Sequence, residues 1–278
     1  AKEAGVHLIV GTSHSFDPPV ELATQLISSG KFGQLRMIQA FNYTDFLYRP
    51  RRPEELRTEE GGGVLFSQAI HQIDVVRRLA GGMAEKIYAM TGAWDPKRPT
   101  EGAFTALMNF AGGCVANMTY SGYAHFDSDI WMNNVGELGQ RKSEGAYGGA
   151  RRALLDLNPD DEVRLKTTRT FGSGTTIEAE HNEHFGPVIA LCDRADLRLT
   201  PDGIEVFGDT ERGFIEAKFG PAPRRTVLDA LVDAVRHNKA PDQTGEWGLA
   251  SLEVCHAILQ SAETGQAVDL QRQCKTNH

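Results

Sequence analysis

The sequence predicts an α+β fold, with a mostly antiparallel open sheet and helices on one face. Short apolar segments alternate with tight turns, as at Gly112-Gly113 and Pro201-Asp202-Gly203. An amphipathic helix follows the glycines at 61–63, and helical spacing returns at 226–238 and 244–264. Strands joined by short turns run antiparallel, whereas βαβ units would require longer crossovers.

The remaining elements are predicted from hydrophobic periodicity and from glycine and proline breaks. A helix is expected at 20–29, before Gly30. The segment from Leu138 to about Leu191 is rich in glycine and charge, and is expected to be an insertion that covers the site or contacts another subunit. Strands are predicted at 8–10, 35–44, 86–93, 103–110, 115–122, 130–137, 196–200 and 204–207.

Composition indicates an ordinary globular protein and disfavours several functional classes. The 278 residues are 40% hydrophobic and 24% charged, and the net charge of −8 disfavours nonspecific binding to nucleic acid or anionic membranes. No apolar run approaches the roughly 20 residues that span a bilayer. The four cysteines show no Cys-x-x-Cys spacing, so neither a zinc site nor a disulfide framework is indicated. A cytoplasmic enzyme without nucleic-acid or membrane partners is the expectation.

The helix after the glycines carries the main candidate residue. At about 100° per residue, Ser67, Gln68, His71, Asp74 and Arg78 fall within one third of its circumference. Such a stripe can be simply a solvent-facing surface. A histidine at its centre is nevertheless suited to proton transfer, because an unperturbed imidazole has a pKa of about 6.5.

The order of residue types in this helix, from the glycines through His71 to Arg78, resembles the second-domain helix of the glucose-fructose oxidoreductase / inositol dehydrogenase / MocA family of NAD(P)-dependent oxidoreductases. The resemblance implies that His71 is the acid/base group and that NAD or NADP accepts a hydride from a carbon-bound hydroxyl. Many members have an aspartate at the position of Ser67, where a hydroxyl cannot stabilise an imidazolium as a carboxylate does. Ser67 and Gln68 are expected to position the substrate, and Asp74 to support His71 in part.

The resemblance also implies a domain organisation. Residues 1–15 would be the end of a dinucleotide-binding domain, a remnant of a doubly wound fold, and residues 16–278 the substrate-binding and oligomerisation domain. No Gly-x-Gly-x-x-Gly follows a strand, so a fragment of a longer enzyme, inactive by itself, is favoured over a domain that acts without a dinucleotide fold. Ser13 and His14 lie on a turn expected near the nicotinamide, although His14 could equally be a surface histidine.

A cluster of arginines precedes the catalytic helix. Arg49, Arg51 and Arg52 lie around two prolines that fix an extended path, and a guanidinium matches a carboxylate with two hydrogen bonds. Together with the following helix, this cluster resembles the 4,5-dihydroxyphthalate dehydrogenase branch of the family. The expected substrate is thus a carboxylated cyclic diol.

Other interpretations stay open at this point. The arginines could be loop charges that pair with Glu54, Glu55, Glu59 or Glu60. The protein would then be a sugar or inositol-type dehydrogenase, or a non-catalytic domain that oligomerises or binds a small acid. His181 and His184 are expected to be loop residues, because no third metal ligand is evident. An open sheet face with alternating apolar residues predicts a homodimer or homotetramer through the sheet.

Overall fold

The structure is a computed structural model that describes residues 1, 3–155, 157–171, 179–219 and 224–276. Its helices are α1 Pro18–Ser28, α2 Ile70–Ala80, α3 Gly149–Leu155, α4 Pro159–Phe171, α5 Arg225–His237 and α6 Gly245–Thr264. Its strands are β1 Leu35–Tyr43, β2 Ala84–Gly92, β3 Ala103–Phe110, β4 Val115–Ser121, β5 Val188–Cys192, β6 Ala195–Thr200, β7 Gly203–Gly208, β8 Arg212–Glu216 and β9 Val268–Asp269.

These strands form one sheet in the order β8-β7-β6-β5-β1-β4-β3-β2-β9. Every neighbouring pair in it is antiparallel except β1 and β4. The chain leaves β1, passes through α2 and the β2-β3 hairpin, and returns as β4 beside β1. The sheet is therefore mixed, and the predicted antiparallel pairing holds outside this one pair. Because β1 and β4 run in the same direction, their carboxyl ends meet at one edge.

The core lies between the sheet and helices α1, α2 and α6. Alternate strand residues such as Ile38, Ile87 and Met118 are fully buried beneath these helices, as the two-residue repeat of a strand requires. Their neighbours on the opposite face, including Tyr88 and Leu107, are exposed. The predicted arrangement of helices on one face of an open sheet agrees with this layering.

Two predicted strands are wrong. Residues 8–10 form no strand in the described structure, and the Val10 N–H donates to the Gln243 carbonyl at 2.9 Å. The assignment of residues 1–15 to the end of a dinucleotide-binding domain stays a prediction. Residues 130–137 also form no strand. A 3₁₀ helix, Ser128–Met132, ends at Asn133, whose left-handed backbone interrupts extended structure.

The segment at 138–191 differs in part from the expected irregular insertion. It contains the two short helices α3 and α4, and its last residues begin β5, which sequence periodicity did not predict. β8 was also not predicted, since its alternating pattern is short and rich in polar residues. The glycine-rich part at 172–178 lies outside the described residues. In the described part of the chain, no helix has the length and apolar character needed to cross a membrane.

A matched pair of leucines tests the position of the core. Leu197 of β6 is fully buried, whereas Leu155 of α3 is 82% exposed. We expect Leu197→Ala to lower the free energy of unfolding by about 2–5 kcal/mol, because it removes buried methyl groups and leaves a cavity. Leu155→Ala should change it by less than about 0.5 kcal/mol. Urea unfolding of both variants measures the difference, and equal losses would contradict this layering.

Candidate active site

The candidate site lies where the parallel strands β1 and β4 end. Tyr120 near the end of β4 and Thr44 just after β1 share a hydrogen bond of 3.0 Å between their hydroxyls. The Tyr120 hydroxyl also lies 3.2 Å from Gln68 Oε1, to which it can donate. This contact connects the sheet edge to the glycine-started helix. Gln68 and His71 are therefore presented at the edge where the two strands end.

The entry of that helix is irregular for a reason that the structure shows. Gly63 has a positive φ of 79°, and a Cβ atom there would collide with the carboxylate of Glu101, which accepts from the Leu65 N–H. A π-helical turn follows at Leu65–Ala69, immediately before α2. Such turns often occur at functional sites, since they redirect side chains. Here the π turn contains both Ser67 and Gln68, the two predicted positioning residues.

His71 lies in an aromatic enclosure. Its ring centroid is 5.2 Å from that of His14, in an edge-to-face arrangement, and 5.4 Å from that of Phe185. Its Nδ1 atom is buried, and the described residues offer it no hydrogen-bond partner. Burial, and secondarily the charge on His14, lower the pKa of His71 to about 4. At neutral pH this imidazole is uncharged and can accept a proton.

His14 is an almost fully buried cation beside His71. Its Nδ1 lies 2.8 Å from Asp17 Oδ2 and its Nε2 lies 3.5 Å from Glu137 Oε1. Only a doubly protonated ring can donate toward both carboxylates. Burial opposes that charge, but Asp17 and Glu137 prevail and raise the pKa of His14 to about 10. Burial likewise opposes ionisation of Glu137, yet His14 and Arg49 lower its pKa to about 2.

Asp74 does not support His71 as predicted. It is fully buried and turned toward α6, where it accepts hydrogen bonds from the Trp247 indole and, at 3.3 Å, the Ser251 hydroxyl. Burial raises its pKa. The stripe of polar residues on the helix is thus no solvent-facing surface, since Arg78 is also buried. Asp74 has a structural role, holding α2 against α6.

The three arginines of the predicted carboxylate site have different surroundings. Arg49 donates to Asp45 at 2.9 Å, and its charge faces Tyr120 and Glu137. It also lines a cavity of about 870 Å³. Arg51 is buried, with its guanidinium over the Phe46 ring. Both Arg51 and Arg52 also form ion pairs with Glu55. Of the three, only Arg49 lines the cavity, and its role as a carboxylate ligand stays a prediction. Arg51 and Arg52 have the ion pairs with loop glutamates that the alternative expects.

Comparison with known proteins identifies the family. Residues 20–141 match the family model described as GFO/IDH/MocA C-terminal domain. The chain is 43% identical over 269 residues to 1-carboxy-3-chloro-3,4-dihydroxycyclohexa-1,5-diene dehydrogenase of Comamonas testosteroni, covering 95% of this chain and 68% of that protein. The chain belongs to the GFO/IDH/MocA family of oxidoreductases. The resemblance inferred from the helix with His71 is confirmed.

Two solved structures have a similar fold. A Bordetella bronchiseptica RB50 protein assigned as a dehydrogenase has a TM-score of 0.91 and 42% identity, covering 96% of this chain and 71% of its own. An Agrobacterium radiobacter oxidoreductase in complex with NAD+, L-tartaric acid and magnesium has a TM-score of 0.61 and 15% identity, covering 96% and 66%. The second, at this identity, supports the fold alone.

The described residues of this family member contain no dinucleotide-binding motif. No glycine-rich turn joins a parallel strand to a helix there. Ser13 and His14, the predicted cofactor contacts, are both buried, and both ring nitrogens of His14 already face carboxylates. The structure does not support a cofactor contact for these two residues. It gives His14 an electrostatic position beside His71 instead.

Sequence reasoning missed the groups that set the charge of the site. Glu137 fell within a wrongly predicted strand, and Phe185 and Tyr120 showed no pattern that separates them from core residues. Asp17 lies three residues after His14, and the sequence alone does not indicate that the two form an ion pair. The expectation of loop histidines holds for the other pair: His181 faces Asp202 at 2.6 Å, and His184 lies 2.9 Å from the Val135 carbonyl. Among described residues, no group of three potential ligands could hold a metal.

Replacing His14 tests the electrostatic coupling directly. His14→Gln keeps a hydrogen-bonding side chain but removes the cation, so the pKa of His71 should rise from about 4 toward its ordinary value of about 6.5. Glu137 then faces His71 without the charge of His14, which acts in the same direction, whereas burial of His71 still holds its pKa down. NMR titration of histidines labelled at Cε1 measures the change. His237→Gln, an exposed replacement on α5, is the control; an unchanged pKa of His71 in His14→Gln would contradict the coupling.

Proposed function

We propose that this chain forms the substrate-binding and proton-transfer site of an NAD(P)-dependent dehydrogenase that oxidises a carboxylated cyclic diol of the dihydroxy-dihydrophthalate type. The observation that carries the proposal is the buried Nδ1 of His71, which has no hydrogen-bond partner in the described structure and lies on a ring whose centroid is 5.2 Å from that of His14. The name of the Comamonas testosteroni relative describes a six-membered ring with one carboxyl group and two hydroxyls.

In the proposed reaction His71 accepts the proton of the substrate hydroxyl. An imidazole can accept a proton only if it is uncharged before the substrate binds. The lowered pKa of His71 meets that condition at neutral pH. Gln68, whose carbonyl oxygen accepts from Tyr120, and Ser67 on the same π turn would orient the hydroxyls. When bound, a nicotinamide would accept the hydride from the carbon that carries this hydroxyl.

Arg49 is the proposed partner of the substrate carboxylate. Its guanidinium is held from one side by Asp45, and it lies between the cavity and the group formed by Tyr120 and Glu137. A charge-assisted bond from arginine to a carboxylate fixes the orientation of a planar ring as well as its position. The carboxylate would thus hold the ring with one hydroxyl toward His71.

The nicotinamide would be presented by a nucleotide-binding unit packed against α5. This helix exposes a row of apolar side chains, and it contacts the segment of His14 through a 3.1 Å bond from the Thr226 hydroxyl to the Phe16 carbonyl. A helix with such a row normally packs against another element. The row consists of Leu228, Leu231, Val232 and Val235, between 43% and 66% exposed. NAD and NADP are both compatible with this arrangement.

The open face of the sheet is the proposed contact between subunits. Tyr88, Met90 and Leu107 are exposed on adjacent strands, with Met37 and Val115 farther along the same face. Exposed apolar side chains grouped on an open sheet face favour association with a second copy, as a homodimer or homotetramer.

Replacing His71 tests the proton-transfer role. With the nucleotide-binding unit present, we expect His71→Gln to lower kcat for a carboxylated cis-dihydrodiol by about 10²–10⁴-fold, the usual contribution of a general base. The KM should change much less, since the carboxylate contact remains. Formation of NADH or NADPH, followed by absorbance, measures both constants.

The exposed His237→Gln variant should retain wild-type rates in the same assay. Full turnover by His71→Gln would refute the role of His71. Efficient turnover of neutral inositols with no activity on the carboxylated diol would refute the substrate class instead.

The subunit contact is tested by placing a charge on the open face. Leu107→Glu should lower the mass observed by sedimentation velocity to that of the monomer at micromolar concentration, because it buries an unpaired carboxylate in the proposed contact. Leu155→Glu, an equally drastic change at an 82% exposed residue off the sheet, should leave the mass unchanged. An unaltered mass for Leu107→Glu would place the contact elsewhere.

A further inference from the structure

We propose that Arg151, together with Arg49, binds a carboxylate of a ring-shaped ligand in the cavity beside the active site. The identity of the ligand as a cyclic diol rests on the proposed function. The anion site itself rests on the geometry of Arg151, which lies on α3, far in sequence from the arginines around Pro50.

The cavity has the size and lining of a site for a small cyclic molecule. Its volume is about 870 Å³, which falls within the usual range of small-molecule sites of about 300–1,000 Å³. Phe126, Ile130 and Tyr147 contribute apolar or aromatic wall. Arg49 and Arg151 both line it, so a ligand in this space meets two guanidinium groups and an apolar surface together.

The charges around the cavity single out Arg151. Three other basic side chains that line it, Arg49, Arg141 and Lys142, are each within ion-pair distance of a carboxylate. Lys142 is 2.5 Å from two of them, Asp127 and Asp129. In contrast, no carboxylate of the described residues lies within 4.0 Å of the Arg151 guanidinium. Its positive charge is therefore available to an anion from outside.

Arg151 is also held in a fixed orientation. Its Nη1 donates to the Ala124 carbonyl at 2.9 Å and its Nη2 to the Tyr123 carbonyl at 2.5 Å. Its guanidinium carbon lies 3.9 Å from the centre of the Tyr48 ring. These neutral partners orient the planar group without cancelling its charge. A ligand carboxylate would thus bind a preorganised donor and lose little affinity to ordering the side chain.

The cavity and the reaction centre share Arg49. This residue lines the cavity and also faces Glu137, whose carboxylate in turn faces His14 and His71. A ring anchored through its carboxylate at Arg151 would therefore also lie in the cavity that Arg49 lines. For a ring with two adjacent carboxylates, the two arginines supply one guanidinium each, a role that Arg51 and Arg52 cannot fill because neither lines the cavity.

Calorimetric titration of the purified chain tests the anion site without any turnover. The probes are phthalate, benzoate and the uncharged ring diol catechol. Arg151→Gln removes the charge and the guanidinium donors and leaves a shorter, neutral polar side chain. We expect the Kd for phthalate to rise by about tenfold or more, as for the loss of a charge-assisted hydrogen bond.

The matched control is Arg152→Gln, which makes the same charge change at the next residue of α3, exposed and outside the cavity lining. It should bind phthalate like the wild type, and catechol should bind equally to all three proteins. The inference is overturned if Arg151→Gln binds phthalate as tightly as Arg152→Gln, or if it loses catechol affinity to the same extent.

The outcome separates this inference from the proposed function. In the complete enzyme, Arg151→Gln should raise KM for a carboxylated dihydrodiol about tenfold with little change in kcat, whereas His71→Gln lowers kcat and leaves phthalate binding intact. Loss of phthalate affinity in Arg151→Gln, with no dihydrodiol turnover by the wild type, supports the anion site and refutes the dehydrogenase proposal. Turnover of the dihydrodiol by the wild type, with unchanged phthalate binding in Arg151→Gln, supports the dehydrogenase proposal and refutes the anion site.

Discussion

The candidate site depends on one buried ionic group, the ring of His14 between the carboxylates of Asp17 and Glu137. A charge without a partner at this depth costs several kcal/mol, but each of these three charges has an opposite neighbour within 3.5 Å. Asp17 precedes α1, whereas Glu137 follows the 3₁₀ helix after β4. The group therefore fixes two distant parts of the chain relative to each other and places both beside His71.

The sheet topology supplies the other half of this placement. The single parallel pair brings the ends of β1 and β4 to one edge, where Thr44 and Tyr120 form the hydrogen bond that leads to Gln68. An entirely antiparallel arrangement of these two strands would place their carboxyl ends on opposite edges. The crossover through α2 is thus the same connection that carries His71. One connection therefore both makes β1 and β4 parallel and carries His71.

Local patterns in the sequence predict the elements well and the partners of side chains poorly. The spacing around His71 predicts its helix, and Gly112-Gly113 predicts the β3-β4 hairpin, because both signals are local. A helical wheel gives Asp74 the same face as His71, but α6 buries that side and directs the carboxylate to Trp247. The sequence likewise predicts Arg51 as a ligand-binding residue, but in the structure its guanidinium packs on the Phe46 ring. These outcomes depend on elements far away in sequence.

The low pKa of His71 has a consequence for catalysis. The environment that keeps the imidazole unprotonated also makes it a weak base, since a pKa of about 4 lies well below neutral pH. An anionic substrate changes that balance: a carboxylate bound near Arg49 adds negative charge opposite His14, and an added negative charge raises the pKa of a neighbouring histidine. Under the proposed function, His71 would gain basicity when a charged substrate occupies the cavity. A neutral sugar would bring no such charge, so under the same proposal an acidic substrate would be favoured at the proton-transfer step as well as at binding.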